Sequence, residues 1–147
     1  MIENRKAFHN YELIKSYTAG IKLVGEEVKS LRMGKGNIAG SYVSDVGGEL
    51  YLVGFNIPRY PKSSNPNYNS KRLKKLLLNQ KEVREIKSQI INKGRTAVPT
   101  RIYLKKDVFK ADIVVVKGLG KPEKKEHLKE EQIKRDIDRE LKDFRSS

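Results

Sequence analysis

Gly47-Gly48 narrows what this chain can fold into more than any other feature. The pair separates two apolar-rich stretches, Ile38–Val46 and Glu49–Phe55. A two-residue hairpin turn needs positive φ at its centre, which glycine supplies without steric cost. Both stretches are therefore expected to be antiparallel strands. Ala97–Leu104 and Val108–Val116 read as a second pair. In the latter, Phe109, Ala111, Ile113 and Val115 face a core while Lys110 and Asp112 point outward. Pro99 implies that its strand begins there or lies at an edge. Tyr11, Leu13 and, after a break, Tyr17 mark a first strand with one buried face, and Ala19–Gly25 alternates as another.

Helix signals are fewer. Glu26–Met33 places Val28 and Leu31 on one face, with Gly34 as its stop. Asn79, with Glu82 three positions later, reads as the cap of a second helix whose Val83, Ile86 and Ile90 form one stripe ahead of Gly94. The polar segment 58–70 is longer than a plain connection requires. Six or so short strands with two or three helices predict a mainly β fold. The expected architecture is a small antiparallel, oligonucleotide-binding-like β-barrel with two or three flanking α-helices.

A chain of 147 residues can bury one such core, and its charge says what the surface is for. Lys and Arg number 32 against 18 Asp and Glu, a formal net charge of +14. Residues 121–147 hold nine cations and eight carboxylates, so +13 belongs to residues 1–120. The expected division is a basic, nucleic-acid-binding barrel domain, 1–120, and a charged C-terminal tail, 121–147. In the tail, Ile133, Ile137, Leu141 and Phe144 fall at spacings of four, four and three. So narrow a stripe buries little by itself, which predicts either a tail disordered when free and helical on a partner or a plain solubilising helix packed lightly on the body. A basic body implies a polyanion, with nucleic acid ahead of an anionic membrane surface.

Other classes are poorly served. Without cysteine there are no disulfides and no thiolate chemistry. No apolar run reaches bilayer length, and the start, Met1–Lys6, lacks the apolar core of a signal peptide, so a soluble cytoplasmic protein with no membrane partner is expected. His9 and His127 are far apart, and Gly118-Leu119-Gly120-Lys121 lacks the Ser/Thr and glycine spacing of a phosphate-binding loop. Neither an enzyme nor a cofactor or metal site is expected. Two basic clusters stand out instead. Lys71-Arg72-Leu73-Lys74-Lys75 sets four cations in five residues, and Lys29, Arg32 and Lys35 surround Gly34 and Gly36. Such cations bind phosphates through counterion release, although the first cluster also reads as a solvated helix start whose long stems shield the leucines behind it. Phe8, Tyr11, Tyr17, Tyr42 and Tyr60 interleave with this charge, to stack on bases or to fill the barrel.

Several segments carry a family likeness. They are Asn4-Arg5-Lys6-Ala7 with His9-x-Tyr11, Ala19-Gly20-Ile21-x-Leu23-x-Gly25-x-Glu27-Val28-Lys29-Ser30-Leu31-Arg32, Gly34-Lys35-x-Asn37-Ile38 and Ser41-Tyr42-Val43. Arg72-x-Lys74-Lys75-Leu76-Leu77-Leu78-Asn79, Gly94-x-Thr96-x-Val98-Pro99 and Lys117-Gly118 follow in order. Together they resemble the small protein B family, partner of transfer-messenger RNA, from Asn4 to about Gly118. The resemblance implies a monomer that binds the tRNA-like domain of that RNA and enters stalled ribosomes with elongation factor Tu and GTP. There its tail senses the empty message channel and decoding centre of the small subunit, so that the nascent chain is tagged and the ribosome rescued. The RNA-facing residues implied are Asn4, His9, Glu27, Lys29, Arg32, Asn37, Arg72, Lys74, Lys75, Leu77 and Lys110. Glu27, a carboxylate among cations, is expected to orient Lys29 or Arg32. Lys117, Gly118, Lys124, Lys125, Lys134 and Arg135 are implied to face the ribosome and its RNA. The chain departs from the family at Thr18, usually acidic, and at Pro122, usually an aromatic residue or histidine.

Overall fold

The longest ladders in the molecule are those that the alternation of residues 108–116 predicts. A computed structural model describes residues 1–4 and 11–118. Its strands are β1 (Ile2–Glu3), β2 (Tyr11–Ile21), β3 (Tyr42–Val46), β4 (Glu49–Val53), β5 (Lys74–Leu77), β6 (Arg95–Lys105) and β7 (Val108–Gly118), with helices α1 (Gly25–Arg32) and α2 (Gln80–Ile90). They form one antiparallel sheet in the order β1-β6-β7-β2-β5-β4-β3. The sheet rolls into a half-barrel, so that Val98 of β6 packs against the Tyr42–Val53–Leu73 cluster. The expected mainly β barrel with flanking helices is what is found.

The inner face buries Tyr17, Ala19 and Ile21 of β2, Leu76 of β5, and Ala111, Ile113 and Val115 of β7. Leu31 of α1 and Ile86 of α2 close over it, with Val83 and Ile90 of the same α2 stripe packed alongside. Lys110 and Asp112 lie outside the core face, as their alternation predicts.

The two tight hairpins are made differently. Gly47 and Gly48 turn β3 into β4 with φ of 61° and 90°. Lys106 and Asp107 turn β6 into β7 with φ of 50° and 64°. Glycine takes this conformation freely, whereas a side chain there costs on the order of 1 kcal/mol, least for Asp. The lysine is the strained member.

Three local expectations change. β2 is one strand, not two, and it runs through Gly20, whose missing side chain admits Leu77: a Cβ there would lie 3.2 Å from Leu77 Cβ. A bulge between Leu13 and Lys15 turns Leu13 out to solvent and brings Ile14 against the core. Pro99 begins no strand, but the edge alternative holds locally: β1 pairs with β6 only at Arg101 and Ile102, so at Pro99 the described residues place a strand, β7, on one side alone. Pro99 sits inside β6, tolerated at a second bulge between Pro99 and Arg101.

α2 starts as its sequence predicts. Asn79 Oδ1 accepts from the Glu82 backbone N–H at 2.8 Å, and Glu82 returns a bond to Asn79 N–H at 3.3 Å. Asn79→Ala is expected to lower stability by about 1 kcal/mol, read as a shifted urea midpoint at constant slope. The helix is also tied to β2: Lys15 Nζ and Tyr17 O–H donate to Glu85 at 2.9 and 3.0 Å. Those bonds hold the Glu85 carboxyl below its ordinary range, while burial pushes the Tyr17 phenol up.

Candidate nucleic-acid interface

Which lysines and arginines remain free to meet a polyanion depends on how the few carboxylates are spent. Glu27 sits in the first turn of α1, fully buried. Its Oε1 accepts the Val24 N–H at 2.9 Å and so caps the helix. Arg72 grips the same carboxylate with Nη2 at 2.6 Å from Oε1 and Nε at 3.1 Å from Oε2. Arg72 also donates to the carbonyls of Leu73 and Lys22. Lys74 is fully buried; its Nζ donates to the carbonyls of Phe55 at 2.5 Å and Ser70 at 3.1 Å, and lies 3.9 Å from Glu27 Oε2. It rests 5.3 Å from the centre of the Phe55 ring.

This corrects the reading of the basic run 71–75. Residues 74–77 are a strand, not a helix start, so Lys74 and Leu76 turn inward while Lys75 and Leu77 turn out. Lys74 presents nothing to a ligand, Arg72 is held by Glu27, and Lys75 meets Glu49 at 3.0 Å. That contact keeps the Glu49 carboxyl below its usual range. Lys71 alone of the four carries no ion pair among the described residues. Glu27, likewise, orients neither Lys29 nor Arg32. Its partners are Arg72 and Lys74, and together they fix α1 against β5.

What this latch fixes is a helix whose outer side is basic. Glu27, Ser30 and Leu31 face inward, so Lys29 and Arg32 face solvent, and Lys35 follows after the Gly34 stop. None of the three has an ion pair among the described residues. Lys29 Nζ stands 5.5 Å over the half-buried Tyr60 ring, and Ser30 Oγ donates to the Pro58 carbonyl at 2.6 Å. The helix thereby carries the long segment 58–70 on its flank. That segment is internally tied: Tyr68 O–H reaches the Ile57 carbonyl at 2.6 Å, and Arg59 reaches the Ser63 carbonyl at 3.0 Å. Asn37 is exposed, its Oδ1 accepting the Ala39 N–H at 2.8 Å.

A second group lies on the outer face of the sheet. Leu77, Gly20, Lys110 and Tyr103 are register partners in one row across β5, β2, β7 and β6. Leu77 is half exposed, with an open groove of about 590 Å³ beside it. Glu49 and Glu82 line that groove with Lys75 and Arg84, and Asn79 already takes the Glu82 N–H at the α2 start, so two carboxylates and a filled cap meet any phosphate there. In the next row, Asp112 accepts from Arg101, Tyr103 and, at 3.4 Å, the hydroxyl of Thr18. A carboxylate thus stands beside Thr18, supplied by the neighbouring strand.

The two groups adjoin through Arg72 and Lys22: Arg72 bonds the Lys22 carbonyl and the Lys22 N–H donates to the Lys75 carbonyl at 2.9 Å. Asn4 lies apart, its N–H on the Thr100 carbonyl at the other edge. Lys117 and Gly118 are part of β7, where Gly118 N–H meets the Gly94 carbonyl at 3.0 Å. His9, Lys124, Lys125, Lys134 and Arg135, and the tail helix, lie outside the described residues. Among the aromatics, Tyr17 and Tyr42 are buried in the fold, Tyr60 stands beside the basic helix, and Phe8 lies outside the described residues.

The family model described as SmpB protein matches residues 1–143. An SsrA-binding protein of Dehalococcoides mccartyi is 40% identical over 139 residues, spanning 95% of this chain and 81% of that protein. One from Allorhizobium ampelinum is 44% identical over 141 residues, 95% and 89% of the two chains. A solved structure described as "tmRNA-SmpB: a journey to the center of the bacterial ribosome" superposes with a TM-score of 0.68 at 37% identity, covering 95% of this chain and 96% of that one. The rolled sheet, the two helices and the order of the motifs agree with these likenesses, and the chain belongs to the SmpB family.

Proposed function

We propose that this protein is an RNA-binding factor rather than an enzyme, and that it grips the tRNA-like domain of transfer-messenger RNA. With elongation factor Tu and GTP it brings that RNA to stalled ribosomes in the cytoplasm, acting as a monomer. The observation that carries the reading is the basic surface of α1: Lys29, Arg32 and Lys35, without an ion pair among the described residues, on a helix held at a fixed angle by a buried Glu27. The SsrA-binding relatives and the tmRNA-SmpB structure support the choice of RNA. Direct contacts are assigned to Asn4, His9, Lys29, Arg32, Asn37, Lys75, Leu77 and Lys110, while Glu27, Arg72 and Lys74 shape the surface from behind. The body, 1–120, holds the RNA. The tail, 121–147, turns helical in the empty message channel, with Lys124, Lys125, Lys134 and Arg135 toward ribosomal RNA and Lys117 and Gly118 at its root.

The test is a pulldown of tagged protein from cells with abundant transfer-messenger RNA, in full-length form and without residues 121–147. Both forms are expected to recover that RNA, and the truncated form is expected to lose peptide tagging on stalled ribosomes. Recovery of ribosomal RNA alone identifies instead a constitutive ribosomal protein, and unimpaired tagging without the tail removes its proposed role.

A further inference from the structure

The sheet ends, at the β6–β7 turn, in a tip that the surfaces described above do not use. Lys105, Lys106 and Asp107 are exposed there, and Leu104 and Val108 behind them are 44% and 51% exposed. Neither lysine has an ion pair among the described residues. The other two-residue hairpin of the same sheet is turned by Gly47-Gly48, which shows what an unburdened turn looks like in this fold. Here a lysine occupies a left-handed position that glycine would fill without strain. Strain of this kind is retained where the side chain has work to do.

The neighbourhood says what kind of work. The row next to the tip holds Tyr103 and Lys110, register partners that continue through Gly20 to Leu77 on the outer face. The tip is therefore the far end of a basic, partly aromatic surface, in a body carrying most of the +14 excess. A two-stranded tip with cations at its point and aliphatic side chains behind them fits the wide, shallow groove of A-form RNA, where phosphates flank exposed riboses. We propose that the β6–β7 tip is a separate RNA-contacting element, which sets Lys105 and Lys106 on the phosphates of an RNA stem and Leu104 and Val108 against its sugar edge.

The partner is the transfer-messenger RNA of the proposed function, so wild-type binding to a transcribed copy of it is measured first, across a salt series. If the wild type does not bind, that reading and this one both fall. Lys106→Gly then separates strain from function. The variant is expected to melt about 3 °C higher, because the turn is relieved. It is also expected to bind the RNA about 3–10-fold more weakly, with the salt slope reduced by about one. Lys106→Arg is expected to retain wild-type affinity and slope. A Lys106→Gly variant that binds as the wild type does overturns the tip contact alone. So does a loss of equal size in Lys106→Arg, or in Lys93→Gln, which removes the same charge from the turn after α2.

Discussion

Glu27→Ala is expected to lower the stability of the protein by roughly 3–5 kcal/mol. Three consequences meet at this one side chain. The Val24 N–H loses its acceptor, the Arg72 guanidinium loses two bonds, and Lys74, fully buried, loses the carboxylate beside it. Burying a charge without its counter-charge is far costlier than deleting an exposed pair. The loss is a large part of what a small domain has, about 5–15 kcal/mol in all. Urea unfolding followed by circular dichroism measures it. The double variant Glu27→Ala with Lys74→Met removes the stranded charge and is expected to recover a substantial part of the loss. A double variant no more stable than Glu27→Ala alone would show that the buried lysine is not the source of the cost.

Lys29→Ala, Arg32→Ala and Lys35→Ala combined act on binding instead. Their side chains point into solvent, so folding stability is expected to change by less than about 0.5 kcal/mol per substitution. Each contributes about 1 kcal/mol to a phosphate contact in partly screened surroundings, which together weakens RNA binding roughly 100-fold. The slope of log affinity against log salt is expected to fall by about two to three. Fluorescence titration of labelled transfer-messenger RNA at several salt concentrations reads both quantities. Affinity within threefold of the wild type moves the interface off α1. Lys74→Met in an otherwise intact chain is the contrast: it disturbs folding, and the folded fraction is expected to keep the wild-type salt slope, since that lysine reaches no phosphate.

These expectations differ from those that the basic run alone suggests, and the difference shows what was legible. Residues 108–116 announce their strand because apolar and polar residues alternate from Phe109 to Ile113 and a β-branched run, Ile113–Val116, follows. Asn79 announces α2 because capping is a contact between residues three apart. The buried lysine is a long-range matter: its carboxylate lies 47 positions earlier and its carbonyl partner Phe55 lies 19 earlier. A reading at period two across residues 74–77 could have separated Lys74 and Leu76 from Lys75 and Leu77, but four cations within five residues hide the alternation. The bulge that turns Leu13 outward leaves no local mark either, because it is imposed by the match of β2 to β7. The α1 cations, in contrast, are where helical periodicity and the Gly34 stop place them.

The order of the strands also bears on how the molecule comes into being. β2 leaves the ribosome early, yet its main partner is β7, with about ninety residues between Ile21 and Val108. At about 5–20 residues per second, some 5–20 s of synthesis pass before that ladder can form. The β3–β4 hairpin closes on its own in the meantime, and β5 links it to β2 through two short ladders. For those seconds the nascent chain carries an apolar strand with an open edge, guarded by little more than the charges of Glu12 and Lys15 at its beginning. Birth, for this protein, is a period of exposure that ends only when the last strand arrives.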